Sequence, residues 1–269
     1  MSRELRRAVA CRNCDAEMQG NFCAACGQEN TDYRVSLRRL LGDLVDEVFQ
    51  LESRLWRSLW ALFRHPGLLT REYNAGRRVR YTTPLRLYLI ASVTYFFVAS
   101  VRPEHVDIDF RDVHSETDGD TSELVRRIAN QFDRRIKLIQ KDQPAAARRA
   151  QEAITEWGPR VMALLVPLFA LLTFALFRRP RHFFVEHLVF ALHVHAVVFF
   201  LWLPPTLLRH DTSGPFVVAM LVWTWIAARN VFQQSWWRLL WKLPLLGLIY
   251  ISFVGLGIAG VALWGVFDV

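Results

Sequence analysis

Residues 183–203 read FFVEHLVFALHVHAVVFFLWL, and Pro204-Pro205 follows. A helix needs roughly 17–25 mostly apolar residues to cross a bilayer, because nothing in the hydrocarbon can satisfy a bare backbone. This stretch has that length, and the proline pair is expected to end it. A helix in a soluble core would carry a polar face, which is almost missing here. Outward from it, comparable stretches lie near 85–101, 161–177 (after Trp157-Gly158-Pro159), 216–231 and 243–267. The fourth is the shortest. The predicted fold is an all-α polytopic membrane protein with about five transmembrane helices, and the N-terminal cysteines described below add a small zinc ribbon.

Composition agrees. Hydrophobic residues make up 52% of the 269-residue chain and charged residues 22%. Mean hydropathy is +0.15. Such values coexist only when the two classes are segregated, and the charges do concentrate in 1–80 and 102–160. The net charge of +8 would suggest nucleic acid for a soluble domain. In a membrane protein basic loops are held on the cytoplasmic side, so the excess needs no such partner. With the N-terminus inside, Arg71, Arg77, Arg78, Arg80, Arg86, Arg178, Arg179, Arg181, Arg229, Arg238 and Lys242 fall on the cytosolic side. The smaller set Arg102, Arg111, Arg148, Arg149, Arg160 and Arg209 falls outside. The expected topology is a cytosolic N-terminus and an extracytoplasmic C-terminus. The first residues are charged and no apolar stretch follows in 11–34, so no secretory signal is expected. Trp157, Trp236, Trp237, Trp241 and Trp264 sit near the predicted boundaries, where an indole keeps one edge wet.

All four cysteines lie in one short segment, Cys11-Arg12-Asn13-Cys14 and Cys23-Ala24-Ala25-Cys26-Gly27. Each CxxC turn aims two sulfurs at one point, and two such turns make a closed tetrahedral site for zinc. A thiolate-only, fully occupied site is structural rather than catalytic. Disulfides are disfavoured in the cytosol, and a redox CxxC wants a βαβ context that is missing. Gly27 suits the turn after the second pair, and Asp15 stands at the matching place in the first. The short gap between pairs leaves room for a hairpin over Glu17–Phe22. The ribbon occupies residues 1–34.

The segment CRNCDAEMQGNFCAACGQEN at 11–30 resembles the zinc ribbon that opens a family of bacterial integral membrane proteins of unknown function. The similarity continues in HPGLLTREYNAGRRVRYTTPLRLYL at 65–89 and FVEHLVFALHVHA at 184–196. The resemblance implies this architecture and a place in the cell inner membrane, and it implies no activity.

Residues 35–82 join the ribbon to the membrane domain at 83–269. In 36–64, Leu37, Leu41, Leu44, Val48, Leu51, Leu55, Leu59 and Leu62 recur at helical spacing, and His65-Pro66-Gly67 ends the helix. Trp56, Trp60 and Phe63 thicken its apolar side. It can lie in the membrane interface or pack on the protein's own helices. The collar that follows carries Arg71, Arg77, Arg78, Arg80 and Arg86, charges expected to contact anionic lipid headgroups at about 1 kcal/mol each. A topology signal alone would need the same charges.

Residues 102–157 form a polar extracytoplasmic loop, acidic at first and basic later, with a helical stripe interrupted at Pro144. It lacks EF-hand spacing. Glu186, His187, His193 and His195 interrupt the third span, and ionisable groups at such positions are candidates for proton or metal handling. Glu186 and His193 share a helix face. No nucleotide loop, nucleophile elbow or metalloprotease motif is present. The expected function is a non-enzymatic scaffold or interaction protein, its ribbon offered to a cytosolic protein partner. The alternative is a transporter or intramembrane metal- or proton-handling protein using the Glu/His cluster. Nucleic acid bound through Arg3, Arg6, Arg7 and Arg12 is the last choice.

Overall fold

The computed structural model describes residues 10–18, 20–29, 53–101, 143–177, 183–208 and 213–267. The predicted helix over 36–52, the loop at 102–142 and the charges Arg3, Arg6, Arg7, Arg102, Arg111, Arg178, Arg179, Arg181 and Arg209 lie outside them. Described helices are α1 (Ser53–Arg64), α2 (Leu68–Asn74), α3 (Pro84–Val101), α4 (Gln143–Leu176), α5 (Phe184–Leu208), α6 (Ser213–Phe232) and α7 (Trp236–Phe267). The last five are each long and apolar enough to cross a membrane. Among the described residues the only β pairings are two isolated bridges near the N-terminus. The chain is an all-helical, multi-pass membrane protein with an N-terminal cysteine cluster.

α5 is the central helix. Its residues from His187 to Val197 are buried throughout. α3 lies along it, with the rings of Tyr88, Tyr95 and Phe96 gathered on Phe199. α4 covers another side, where Phe169 packs near Phe190 and His195. α7 runs antiparallel to α4. Lys242 at its start donates to the Leu176 carbonyl at 2.7 Å, and glycines near its end touch α4. Gly257 faces Val161, and a Cβ on Gly265 would come within 2.8 Å of the Arg149 carbonyl oxygen. Small residues let membrane helices approach this closely.

One end of the bundle gathers the α4–α5 and α6–α7 junctions. Phe177 stacks on Phe232 at 4.5 Å, and the His187 ring stacks on the same phenylalanine at 4.8 Å. Arg229, Arg238 and Lys242 belong to this end. α6 also holds the turn between α1 and α2 there. Trp223 Nε1 donates to the Leu62 carbonyl at 2.8 Å, and Asn230 Nδ2 donates to the Pro66 carbonyl at 2.9 Å. Leu62 belongs to the last turn of α1, whose carbonyls lack partners within the helix, and Pro66 to the turn that follows. Gly67 has φ 82°, and a Cβ there would stand 2.9 Å from the Ala227 carbonyl oxygen. Both conformation and space therefore require glycine after His65-Pro66.

Three boundaries differ from the sequence expectation. α4 starts at Gln143 rather than near 161, so the stretch given to the outer loop up to 157 is helical from 143 on. Three alanines on that extension, Ala146, Ala150 and Ala153, are buried, and the first two pack on Val266 of α7. Pro144 falls in the first turn, where its missing N–H costs nothing. Pro159 and Pro167 lie inside the helix, which packed neighbours allow in membrane proteins. Second, α5 passes through Pro204-Pro205 and ends at Leu208. Third, α7 starts at Trp236, with Pro244 inside it, rather than at 243.

α1 divides its faces. Leu55, Ser58, Ala61 and Leu62 are buried, while Trp56 and Trp60 are 75% and 70% exposed and Phe63 is exposed beside them. The helix thus packs on the protein and still presents an aromatic stripe outward. Trp157, Trp236, Trp237, Trp241 and Trp264 are exposed as well.

Candidate metal centre and basic collar

The ribbon consists of two copies of one loop. In the first, Cys11 N donates to the Ala16 carbonyl and Asp15 N to the Cys11 carbonyl, both at 2.8 Å. In the second, Cys23 N donates to the Gln28 carbonyl and Gly27 N to the Cys23 carbonyl, again at 2.8 Å. Isolated antiparallel bridges close each loop, Ala10 to Glu17 and Phe22 to Glu29. Asp15 and Gly27 occupy equivalent places and both have positive φ, 59° and 74°. The hairpin expected over Glu17–Phe22 is instead the connection between the loops, because each knuckle satisfies its own backbone. The repeat was readable as CRNCDAE against CAACGQE. Only glycine, asparagine and aspartate take such a φ readily, which explains the Asp15–Gly27 equivalence.

The four sulfurs face one another. Cys11 and Cys26 Sγ are 3.6 Å apart, as are Cys14 and Cys23 Sγ, and all four lie within 4.8 Å of one another. A disulfide would need about 2.05 Å. Tetrahedral thiolates at 2.3 Å from zinc stand about 3.8 Å apart, so the observed spacing fits a shared ion. The cysteines could therefore hold a metal, and they form the only such group among the described residues. The thiols are unequal. At Cys14 the Ala16 backbone N–H favours the thiolate, yet the hydrogen bond with Cys26, desolvation, and hydrogen bonds with Cys23 and Cys11 push the thiol up to about 12. At Cys23 desolvation works upward, but the Cys26 and Ala25 backbone N–H groups and the neighbouring sulfurs bring it down to about 7. Sulfurs this close share protons when no cation separates them.

Gln28 carries the ribbon to the collar. Its side chain is buried, Nε2 donates to the Gly76 carbonyl at 2.8 Å, and Oε1 accepts from Arg78 N at 3.3 Å. The equivalent residue of the first knuckle, Ala16, can make no such clamp. The collar is itself folded. Thr82 N donates to Ser58 Oγ at 2.8 Å, which ties it to α1. Arg77 forks onto Glu72, with Nε to Oε2 at 2.7 Å, a geometry that only a guanidinium provides. That hydrogen bond holds the Glu72 carboxyl below its ordinary range. It also raises Arg77, with a further contribution from the charge of Asp15 in the ribbon. Arg78 lies over the Tyr73 ring, 4.0 Å from its centroid, and Arg80 over Tyr81. Arg71 and Arg80 are exposed, and Arg86 is half-buried at the start of α3.

The polar residues of α5 are divided among neighbours. His187 Nδ1 meets Thr173 Oγ1 of α4 at 3.2 Å. His193 Nδ1 meets Thr70 Oγ1 of α2 at 3.0 Å. His195 Nε2 meets the Tyr250 hydroxyl of α7, and its Nδ1 bonds the Ala191 carbonyl of its own helix. Glu186 is half-buried in the first turn. The three histidines thus bond α4, α2 and α7 separately. Thr70, Thr173 and Tyr250 are the partners that the sequence did not single out.

A family described as "Protein of unknown function (DUF3667)" matches residues 52–96. The match covers α1, the His65-Pro66-Gly67 turn, α2, the collar and most of α3, so the chain is similar to that family over the unit that joins ribbon to membrane. No curated protein and no solved structure matches the chain.

Proposed function

We propose that this protein is a non-enzymatic membrane scaffold whose zinc-loaded ribbon is a rigid handle for a partner in the cytosol. The observation that carries the reading is the Gln28 clamp. It seats a closed four-thiolate site on the collar rather than leaving it on a free tether. Zinc follows from the donor set, since four thiolates at tetrahedral spacing suit it and leave no open position for catalysis. The basic ends of α6 and α7, gathered where α6 holds the turn before the collar, support a cytosolic ribbon under the positive-inside rule, and the membrane is then the cell inner membrane. Collar arginines together with the Trp56, Trp60 and Phe63 stripe support contact with anionic headgroups at the same surface.

The test is crosslinking in cells with the tagged full chain, beside a Cys23→Ser/Cys26→Ser variant and a Gln28→Ala variant at matched abundance. Partners captured by the wild type should disappear with the double serine variant and weaken with Gln28→Ala. An unchanged partner set in both would overturn the reading.

A further inference from the structure

Between α2, the collar and the middle of α5 lies a small pocket lined by Tyr73, Arg77, Arg78, Tyr81, Thr82 and His193, together with apolar neighbours. Its inner volume, as available to the centre of a water molecule, is about 10 Å³, room for one oxygen atom. His193 is 2% exposed. Its Nε2 has no hydrogen-bond partner among the described residues, although the atom is buried. An orphan of this kind is costly, and native structures keep few of them.

The chemistry of the missing partner can be read from the other ring nitrogen. Nδ1 is 3.0 Å from Thr70 Oγ1. In the tautomer in which the threonine hydroxyl donates to Nδ1, the neutral ring carries its proton on Nε2, and His193 then offers a donor to the pocket it lines. The remaining polar lining consists of two guanidinium groups and three hydroxyls, with no carboxylate among them. Glu72 is not among the lining residues but forks onto Arg77, which is, and Asp15 also acts on that guanidinium. Arg78 is fixed over Tyr73 and anchored through its backbone to Gln28. The pocket is therefore rich in donors, one of its two guanidinium groups being paired with Glu72, and it is preformed by the same contacts that seat the ribbon.

We propose that this pocket binds a phosphate group. One phosphate oxygen enters to accept from His193 Nε2, and the others rest at the mouth on Arg78 and Arg77. The proposal deepens the headgroup reading above and rests on it: it replaces a diffuse basic surface with one built site. The phosphate can belong to an anionic lipid or be free in solution, and its chemistry at the pocket is the same.

The full-length protein, purified in detergent and placed in nanodiscs of phosphatidylcholine alone or mixed with phosphatidylglycerol, is compared with His193→Gln, Arg78→Gln and Arg71→Gln. Native mass spectrometry reads retained lipid, and thermal unfolding with inorganic phosphate reads the free anion. If the source is lipid, the wild type retains phosphatidylglycerol, His193→Gln and Arg78→Gln each weaken it about tenfold, and Arg71→Gln leaves it unchanged. If phosphate alone stabilises the wild type and both pocket variants lose the effect, the site takes the free anion. Binding of neither probe, or equal binding by wild type and pocket variants, overturns the proposal and leaves a solvent pocket. Lipid preference lost only with Arg71→Gln would keep the diffuse collar and remove the pocket. Should His193→Gln fail to fold, Arg78→Gln at the half-buried mouth decides.

Discussion

α5 and α7 are both long apolar helices, yet 67% of the most apolar stretch of α5 is buried inside the protein against 6% of that in α7. Hydrophobicity alone places a helix in lipid and says nothing about which neighbours it has. What separates the two is the distribution of polar side chains. α5 carries His187, His193 and His195, each bonded to a different neighbouring element. α7 offers Tyr250 to that network, Lys242 and glycines to α4, and mostly large apolar side chains to the outside. A helix with buried polar groups on several sides becomes the centre of the bundle, and one with few becomes its wall.

This contrast can be broken most directly by truncating both helices. Phe190→Ala in α5 removes a buried ring and should cost about 3–5 kcal/mol, read as a large drop in the thermal midpoint in detergent. Leu248→Ala in α7 is the control at the other extreme. Its side chain is 68% exposed, and the change should fall within about 0.5 kcal/mol. Equal effects would show that α7 has a protein neighbour where the contrast puts lipid. Next in size is Gly67→Ala, which combines a positive φ with the approach to Ala227 and should destabilise by about 1–3 kcal/mol in the same assay. A neutral result would mean that the His65-Pro66-Gly67 turn is not docked on α6.

Gln28→Ala should cost about 1–2 kcal/mol of local stability. The expected signature is faster amide exchange at Arg78, whose N–H donates to Gln28, with bound metal unchanged. Unchanged exchange would separate ribbon from collar. The smallest effect is the acid response of the Glu72–Arg77 pair. The carboxyl is held below its ordinary value, so its contribution is complete above the unfolded glutamate range and is lost as pH falls through the lowered value. Arg77 is substantially exposed, so the contribution should be below about 1 kcal/mol. Glu72→Gln should abolish that acid-side slope in a stability-against-pH series; an identical slope would assign it elsewhere.

The five spans were legible because length and apolarity are properties of a single segment. Cysteine spacing was legible for the same reason, since cysteines separated by two residues report on their own turn. What the sequence concealed depends on partners distant in the chain. The expected end of α5 at Pro204 and start of α4 near 161 followed from local proline and polarity rules. The α4 extension depends on Ala146 and Ala150 meeting Val266. Gln28 looks like an ordinary polar residue after a cysteine knuckle, and only its contact with Gly76 gives it a role. Glu186 and His193 share a face in helical register, but Thr70 lies beyond any periodicity argument, so the division of the histidines could not be read in advance.

The claim on which the rest depends is a single metal ion held by four thiolates on a membrane protein. Elemental analysis of the purified full-length chain, with thiol counting before and after chelation, tests it in one preparation. The account predicts one zinc per chain, four thiols reactive only after denaturation with a chelator, and loss of both features in Cys23→Ser/Cys26→Ser. A metal-free chain whose cysteines are paired as disulfides would contradict it.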